Sequence, residues 1–446
     1  MSKRYAPLLP AAIACLVYLN SFGGTFQFDD YNVIVSNGAV HSWSAWSHDL
    51  PHGIRPVLKF TYVLNWTSGL GLFGFHLLNL LIHVINTVFV YFLSRRSTQY
   101  FPSQAPAVCT AILFAVHPVQ TEAVAYISGR STSLMATFYL GSMLAYIRGS
   151  DAQGHLWSHG ISPVLFIMAL LTKEIAITLP AVLLLWEFTF GEQKRFAAIL
   201  KRQGIHWGLL AAALFFLIAH PGYGPLLEYS FDIRGLKETL LSQINGVFYL
   251  LSKLIVPYSL NIDPDLPVMS RWTVLLALKA GLLLALMCAG LMRLKRSPGF
   301  AFGVLWFFIV LVPTNSLIPR LDLANERQLY LSSWGLFLVI AVGCTKLQVR
   351  AGKNWVYWTM AAVLVVLAGC TISRNQVYRS EIALWEDTVR KSPHKPRAFN
   401  NLGYAYALAG RNEDAAKTYR QALHLNPDYK PARINLESLQ KNLDRD

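Results

Sequence analysis

Charged side chains are scarce in this chain, at 14% of 446 residues, and acids are scarcer than bases, with 24 Asp and Glu against 39 Lys and Arg. An average soluble domain carries roughly 25% charge and 45–50% apolar residues. Here the apolar share is 54%, more than a water-soluble fold can hide. The five cysteines, at 15, 109, 288, 344 and 370, lie inside apolar runs without paired spacing, which excludes a disulfide framework and a cysteine zinc site. Nor does the cation surplus form the stripe that nucleic acid needs. It falls in short clusters beside apolar runs, where the positive-inside rule accounts for it, so no nucleic-acid partner is expected.

What is present is long apolar sequence. The runs 72–93, 272–292 and 355–372 each approach the ~20 residues that cross a hydrocarbon core. The first run, 5–22, follows Lys3 and Arg4 and lacks a small-residue cleavage site, so it reads as an uncleaved span with a cytoplasmic N-terminus. The clusters at Arg95 and Arg96, Arg148, Lys194 to Arg202, Arg293 to Arg296, and Lys346 to Lys353 then share that side. The stretch 161–190 is too long for one span and is broken at Thr172, Lys173 and Glu174, which predicts a hairpin with its tip on the outer face. Parity puts the loop 23–70, the segments 117–131 and 313–327, and everything after 372 on that same non-cytoplasmic side. Segment 237–260 resists this parity, leaving eleven or twelve crossings. The fold class expected is an all-α polytopic bundle over 1–372, followed by a short helical-repeat domain over 373–446.

The tail carries the small/large pattern of a 34-residue tetratricopeptide repeat at Phe399, Leu402, Gly403, Tyr406, Ala415, Tyr419, Ala422 and Pro427. Trp385 and Pro393 stand 34 residues before Tyr419 and Pro427, marking a preceding half repeat, and a capping helix follows. Fewer than ~3 repeats seldom fold alone, so the domain is expected to rest on the membrane part or on a partner.

Polar residues of chemical interest gather at outer span ends. Asp29 and Asp30 are adjacent carboxylates just past the first span, costly at a membrane boundary unless a cation or substrate offsets their repulsion, although Asp also caps helices. His117 and Glu122 flank Pro118 and Thr121, with Arg130 about two turns on; they offer a hard-metal or substrate contact, or simply end one helix and start the next. His76, Asn79, His83 and Asn86 share one helical stripe. The deeper His83 and Asn86 suit hydrogen bonding between helices, whereas His76 lies near the outer surface. Arg55, Lys173 with Glu174, Arg320, and Glu326 with Arg327 complete the set, and arginine at headgroup depth suits a phosphate.

Taken in order, the stretches FDDYNVIVSN, RPVLKFTYVLNW, FHLLNLLIHVIN, LFAVHPVQTEAVAYISGRS, LLTKEIAITLPAVLLLWE and NERQLYLSSWG, followed by the repeat, resemble the transmembrane and tetratricopeptide-repeat-containing O-mannosyltransferases and their bacterial relatives, within the GT-C glycosyltransferases. The resemblance implies a lipid-phosphate-linked sugar donor, a catalytic acid in the first outer loop at Asp29 or Asp30, an HPxxTEA motif on His117, Pro118, Thr121 and Glu122, and an ERxLY motif on Glu326, Arg327 and Tyr330. On that basis the chain would be expected to move a hexose, mannose in the first instance, from a polyprenyl phosphate to a Ser or Thr hydroxyl of an exported protein, with inversion. Arg327, with Lys173 or Arg320, would stabilise the leaving phosphate, held in place by Glu326. Glu122 and His117 would orient the acceptor, or Glu122 would share a divalent Mg or Mn ion with Asp29. Membrane lipids and an acceptor docked on the repeat are the implied partners, and a bacterial inner membrane with the site in the periplasm is the implied location. Transfer to a lipid or glycan, and a non-catalytic scaffold presenting the repeat, are the competing readings. A transporter would place ionisable groups at several depths, which this sequence does not.

Overall fold

A computed structural model describes residues 5–150, 154–192, 195–352 and 354–443; Lys3, Arg4, Lys194 and Lys353, used above for sidedness, lie outside them. The described chain is helical, with no strand. Several helices open on a proline at the first or second position, where the missing N–H costs nothing, among them Pro56–Thr67, Ala105–Val116, Leu179–Phe190, Pro298–Leu311 and Pro396–Leu408.

Among the described residues, four helices are long and apolar enough to cross a membrane, namely Gly71–Ser97, Val274–Met292, Glu326–Ala351 and Trp355–Val377. Two bent pairs raise the number to six: Ala105–Val116 with Pro118–Val124, at 54°, and Phe196–Arg202 with Gly204–Ala219, at 64°. Of the other runs in the expected count of eleven or twelve, several are shortened or split, while Arg130–Ser150 and Leu236–Ile255 are continuous but less apolar. The stretch 161–190, for instance, becomes Ser162–Leu170 and Leu179–Phe190 around the turn at Lys173. The unassigned segment is the helix Leu236–Ile255, which buries Ser242, Gln243 and Asn245 while exposing Leu236, Leu240 and Ile255. Its polar face is satisfied inside: Gln243 accepts from Asn315 at 2.9 Å, and Ser242 from the Met269 N–H at 2.8 Å.

The main core joins Leu8–Tyr18, Gly71–Ser97, Ala105–Val116, Arg130–Ser150, Pro298–Leu311 and Leu329–Ala351. Gly303 and Gly335 face one another so closely that a Cβ on either would strike the other's carbonyl oxygen, and Trp306 packs edge-on to Trp334 at 4.4 Å. Only 11% of the most apolar window of Val274–Met292, and likewise of Trp355–Val377, is buried by protein, leaving side chains such as Leu278 and Val365 outward. Their backbone groups are satisfied within the helix, as a lipid-facing segment requires.

The tail forms Glu381–Lys391, Pro396–Leu408, Asn412–Leu425 and Lys430–Leu443. Gly403 lets Tyr419 approach, since a Cβ there would stand 2.7 Å from its ring. The domain rests on the membrane part. Trp385 meets Phe28 edge-on at 5.1 Å, Gln27 donates to the Tyr378 carbonyl, and Asn261 donates to Ser392 at 2.7 Å.

Candidate active site

The first loop separates its two adjacent carboxylates, Asp29 and Asp30. After Gly24, whose missing side chain leaves room for the His76 ring, the chain passes Phe28 at φ 47°, in the left-handed region, and turns into the carboxylate pair. Asp30 points inward. It is fully buried and accepts from the Gln27 N–H at 3.0 Å, the Ser128 N–H at 2.8 Å and the Ser128 hydroxyl. Burial nonetheless pushes its carboxyl up to about 7, against the pull of those hydrogen bonds. Asp29 points outward, its side chain 41% exposed, while its N–H donates to the Tyr126 hydroxyl at 2.9 Å.

Asp29 lies on the wall of a cavity of about 320 Å³, together with Arg55, Lys59, Lys173, Arg320 and Arg327. Asn32, Tyr62, Ser128 and Ser131 supply neutral polar groups. Arg55, at φ 56°, begins the helix Pro56–Thr67 and forks onto Glu174 at 3.0 and 2.8 Å; the Tyr223 hydroxyl donates to the same carboxylate at 3.0 Å. Burial raises the Glu174 carboxyl, but Arg55 more than reverses this and brings it down to about 2. Lys59 pairs with Asp49 at 2.5 Å. The Arg327 N–H donates to Glu122 at 2.8 Å, and its guanidinium lies 3.6 Å from Glu122 and 4.0 Å from Asp29.

Two cations lack such partners. Lys173 donates only to hydroxyls, Thr132 at 2.6 Å and Ser131 at 3.3 Å, and among the described residues neither Lys173 nor Arg320 has a carboxylate within ion-pair distance. Burial, reinforced by neighbouring arginines, pushes both below their ordinary values. A cavity with five cations, one half-exposed acid and unpaired positive charge is built to take an anion.

Other residues singled out from sequence do not line this cavity. His76 is buried against the Gly24 carbonyl at 3.1 Å. His117 caps the turn at Pro118, accepting from the Val119 N–H at 3.4 Å. Arg130, wholly buried between Tyr62 and Phe75, donates to Asn79 at 2.6 Å, the Phe75 carbonyl at 2.9 Å and Thr61. Tyr330 closes a polar knot with His83 at 2.9 Å and Asn86 at 3.0 Å, the interhelical role expected of those two. Glu326 does not hold Arg327. It turns away to the Asn261 N–H and to Arg374 at 3.6 Å, and Glu122 is the carboxylate beside Arg327, because consecutive residues on a helical turn point in different directions.

Lys59, Tyr62, Ser128, Ser131 and Tyr223 were not anticipated. Lys59 and Tyr62 follow Arg55 by four and seven residues and so share its helical stripe, a legible signal. Nothing local marks Tyr223.

A divalent ion shared by Asp29 and Glu122 does not fit this arrangement, since the Arg327 guanidinium already stands between the two carboxylates. Among the described residues no group of three or more His, Cys, Asp or Glu side chains is placed to hold a metal.

Comparison with known proteins bears on the repeat and on the whole chain. Residues 396–429 match the tetratricopeptide repeat family. The full chain is similar to protein O-mannosyl-transferases. It is 26% identical to the human TMTC1 protein over 98% of this chain and 57% of the relative. It is 27% identical to the Caenorhabditis elegans protein F38B6.6 over 95% and 63%. The chain thus spans about three fifths of the length of these relatives. A looser likeness, with a TM-score of 0.45 and 15% identity, covers 93% of this chain and 59% of an Archaeoglobus fulgidus oligosaccharyltransferase.

Proposed function

We propose that this chain is a membrane glycosyltransferase that moves a hexose from a polyprenyl-phosphate donor to a Ser or Thr hydroxyl of an exported protein. The observation that carries the reading is the cavity itself, where one half-exposed carboxylate, Asp29, shares the wall with five cations, of which Lys173 is buried and the others partly exposed. Mannose is the sugar suggested by the relatives' names. The acceptor hydroxyl would approach Asp29, which takes its proton as the oxygen attacks the anomeric carbon. The phosphate leaves with the bonding electrons into the field of Arg327, Arg320 and Lys173, and a single displacement inverts the centre. The burial of Asp30 favours Asp29 over it for this role. The cavity would open to the periplasmic side of a bacterial inner membrane, and the repeat, packed on the same loop as Asp29, would meet acceptors there.

The test is turnover of a short-chain prenyl-phosphate mannose with a Ser/Thr-rich peptide, followed by mass spectrometry of the peptide. Asp29→Asn is expected to lower turnover by at least ~10²-fold while donor affinity holds. Asp30→Asn is expected to cost folding stability without that selective loss of turnover. Full turnover in Asp29→Asn would remove the general base from the proposal.

A further inference from the structure

The loop that supplies Arg320 and Arg327 to the cavity also carries an acid, and that acid is held outside it. Asp322 accepts from Nη2 of Arg397, the second residue of the repeat helix Pro396–Leu408, instead of meeting the arginines on its own loop. Arg397 completes the clasp by forking onto Asp263, with Nε 2.8 Å from Oδ2, and Lys395 joins the same carboxylate. Asp322 and Asp263 together lie against Arg397, whose side chain is only 22% exposed. Arg320, two residues from Asp322, has no counter-ion of its own among the described residues, and both Arg320 and Arg327 feel the Asp322 charge.

We infer that Arg397 is a positioning residue: by holding Asp322 against the repeat, it keeps that carboxylate off Arg320 and Arg327, so the cavity stays open to an anion only while the repeat is docked. The inference rests on the reading of the cavity as a phosphate site. A freed Asp322 is a mobile anion two residues from Arg320, and it would compete with a phosphate for the same guanidinium. Coupling between repeat and site then passes through one ion pair. A protein that displaced Pro396–Leu408 would weaken donor binding without touching the cavity.

The experiment is a mutant cycle on the full purified chain, titrated with a short-chain prenyl-phosphate mannose and, separately, with inorganic phosphate. Arg397→Ala should raise the donor Kd about tenfold, with kcat at saturation nearly unchanged. Adding Asp322→Asn to that background should bring Kd back to within about threefold of wild type, which a merely structural loss would not do. Asp322→Asn alone, which leaves the Asp263 fork intact, should bind donor at least as well as wild type, and it keeps the test open should Arg397→Ala fold poorly. Unchanged Kd in Arg397→Ala, absence of recovery in the double variant, or weakened binding in Asp322→Asn would each overturn the inference. If wild type ignores the sugar donor yet binds phosphate with the same cycle, the inference stands and the proposed substrate falls. If it binds neither probe, both fall.

Discussion

Asp29 and Asp30 are chemically identical neighbours whose roles diverge through their surroundings. The doublet is visible in sequence, but the assignment of one to the cavity depends on the left-handed Phe28 and on Ser128, almost a hundred residues away. The buried member should leave a pH signature. Its carboxyl rises from 3.8 to about 7 on folding, so the folded state holds this proton more tightly than the unfolded chain. The sign follows: its contribution to stability is full below about pH 4 and is lost as pH rises through about 7. Thermal unfolding in detergent at about pH 5 and about pH 8 should therefore show a smaller pH difference in Asp30→Asn than in wild type. An unchanged difference would mean that Asp30 does not titrate in this window. Arg327 offers a second residue-scale test, since Glu122 orients it and Asp29 faces it. Arg327→Ala should weaken donor binding by ~1.5–3 kcal/mol, with Arg327→Lys recovering only part because an ammonium lacks the planar fork. Equal affinities in wild type, Ala and Lys variants would remove this residue from the site.

Helices here are defined by composition but joined by gaps in it. Glycine at 303 and 335 lets Pro298–Leu311 and Leu329–Ala351 touch backbone to backbone, and the second helix begins two residues after Arg327. Gly303→Leu should therefore separate the two helices, at a cost of ~1–3 kcal/mol or more for overpacking. Gly281→Leu, in a helix where a Cβ meets nothing within 4 Å, should be nearly neutral. The comparison is read as the apparent melting temperature of each purified variant, and equal losses would refute the close contact. The tetratricopeptide helices were legible because their small and large residues recur at a fixed spacing. The interrupted helices around Lys173 and Pro118 were legible only as interruptions, since polar residues and proline announce a break without saying what the break faces.

Across the molecule, the groups around the cavity come from the first loop, the turn at Lys173 and the loop before Leu329, while Arg95, Arg202 and Arg296 lie at the other ends of their helices or in the turns beyond. The repeat packs on the cavity side through Phe28 and Trp385. A cysteine at Leu50 or at Lys430, both exposed, should react with an impermeant thiol reagent in spheroplasts, and one at Arg296 should react only after permeabilisation. The reverse pattern would invert the proposed sidedness. Gln27 is a poor reporter because it is buried under Tyr378.

Sequence by itself determined that the chain belongs in a membrane and that a tetratricopeptide repeat follows, and it led to the expectation that the unusual polar segments share one side. Those properties rest on run length, charge asymmetry and a 34-residue period, all of which are local or additive along the chain. Tertiary structure alone decided that Asp29 faces the cavity while Asp30 is buried, that Glu122 rather than Glu326 accompanies Arg327, and that Arg397 draws Asp322 away from Arg320. Each of these is a choice among several partners of the same charge. A hydrogen-bonded ion pair forms only at contact distance, about 4 Å or less, so the choice is made by which distant segments the packed helices bring into reach.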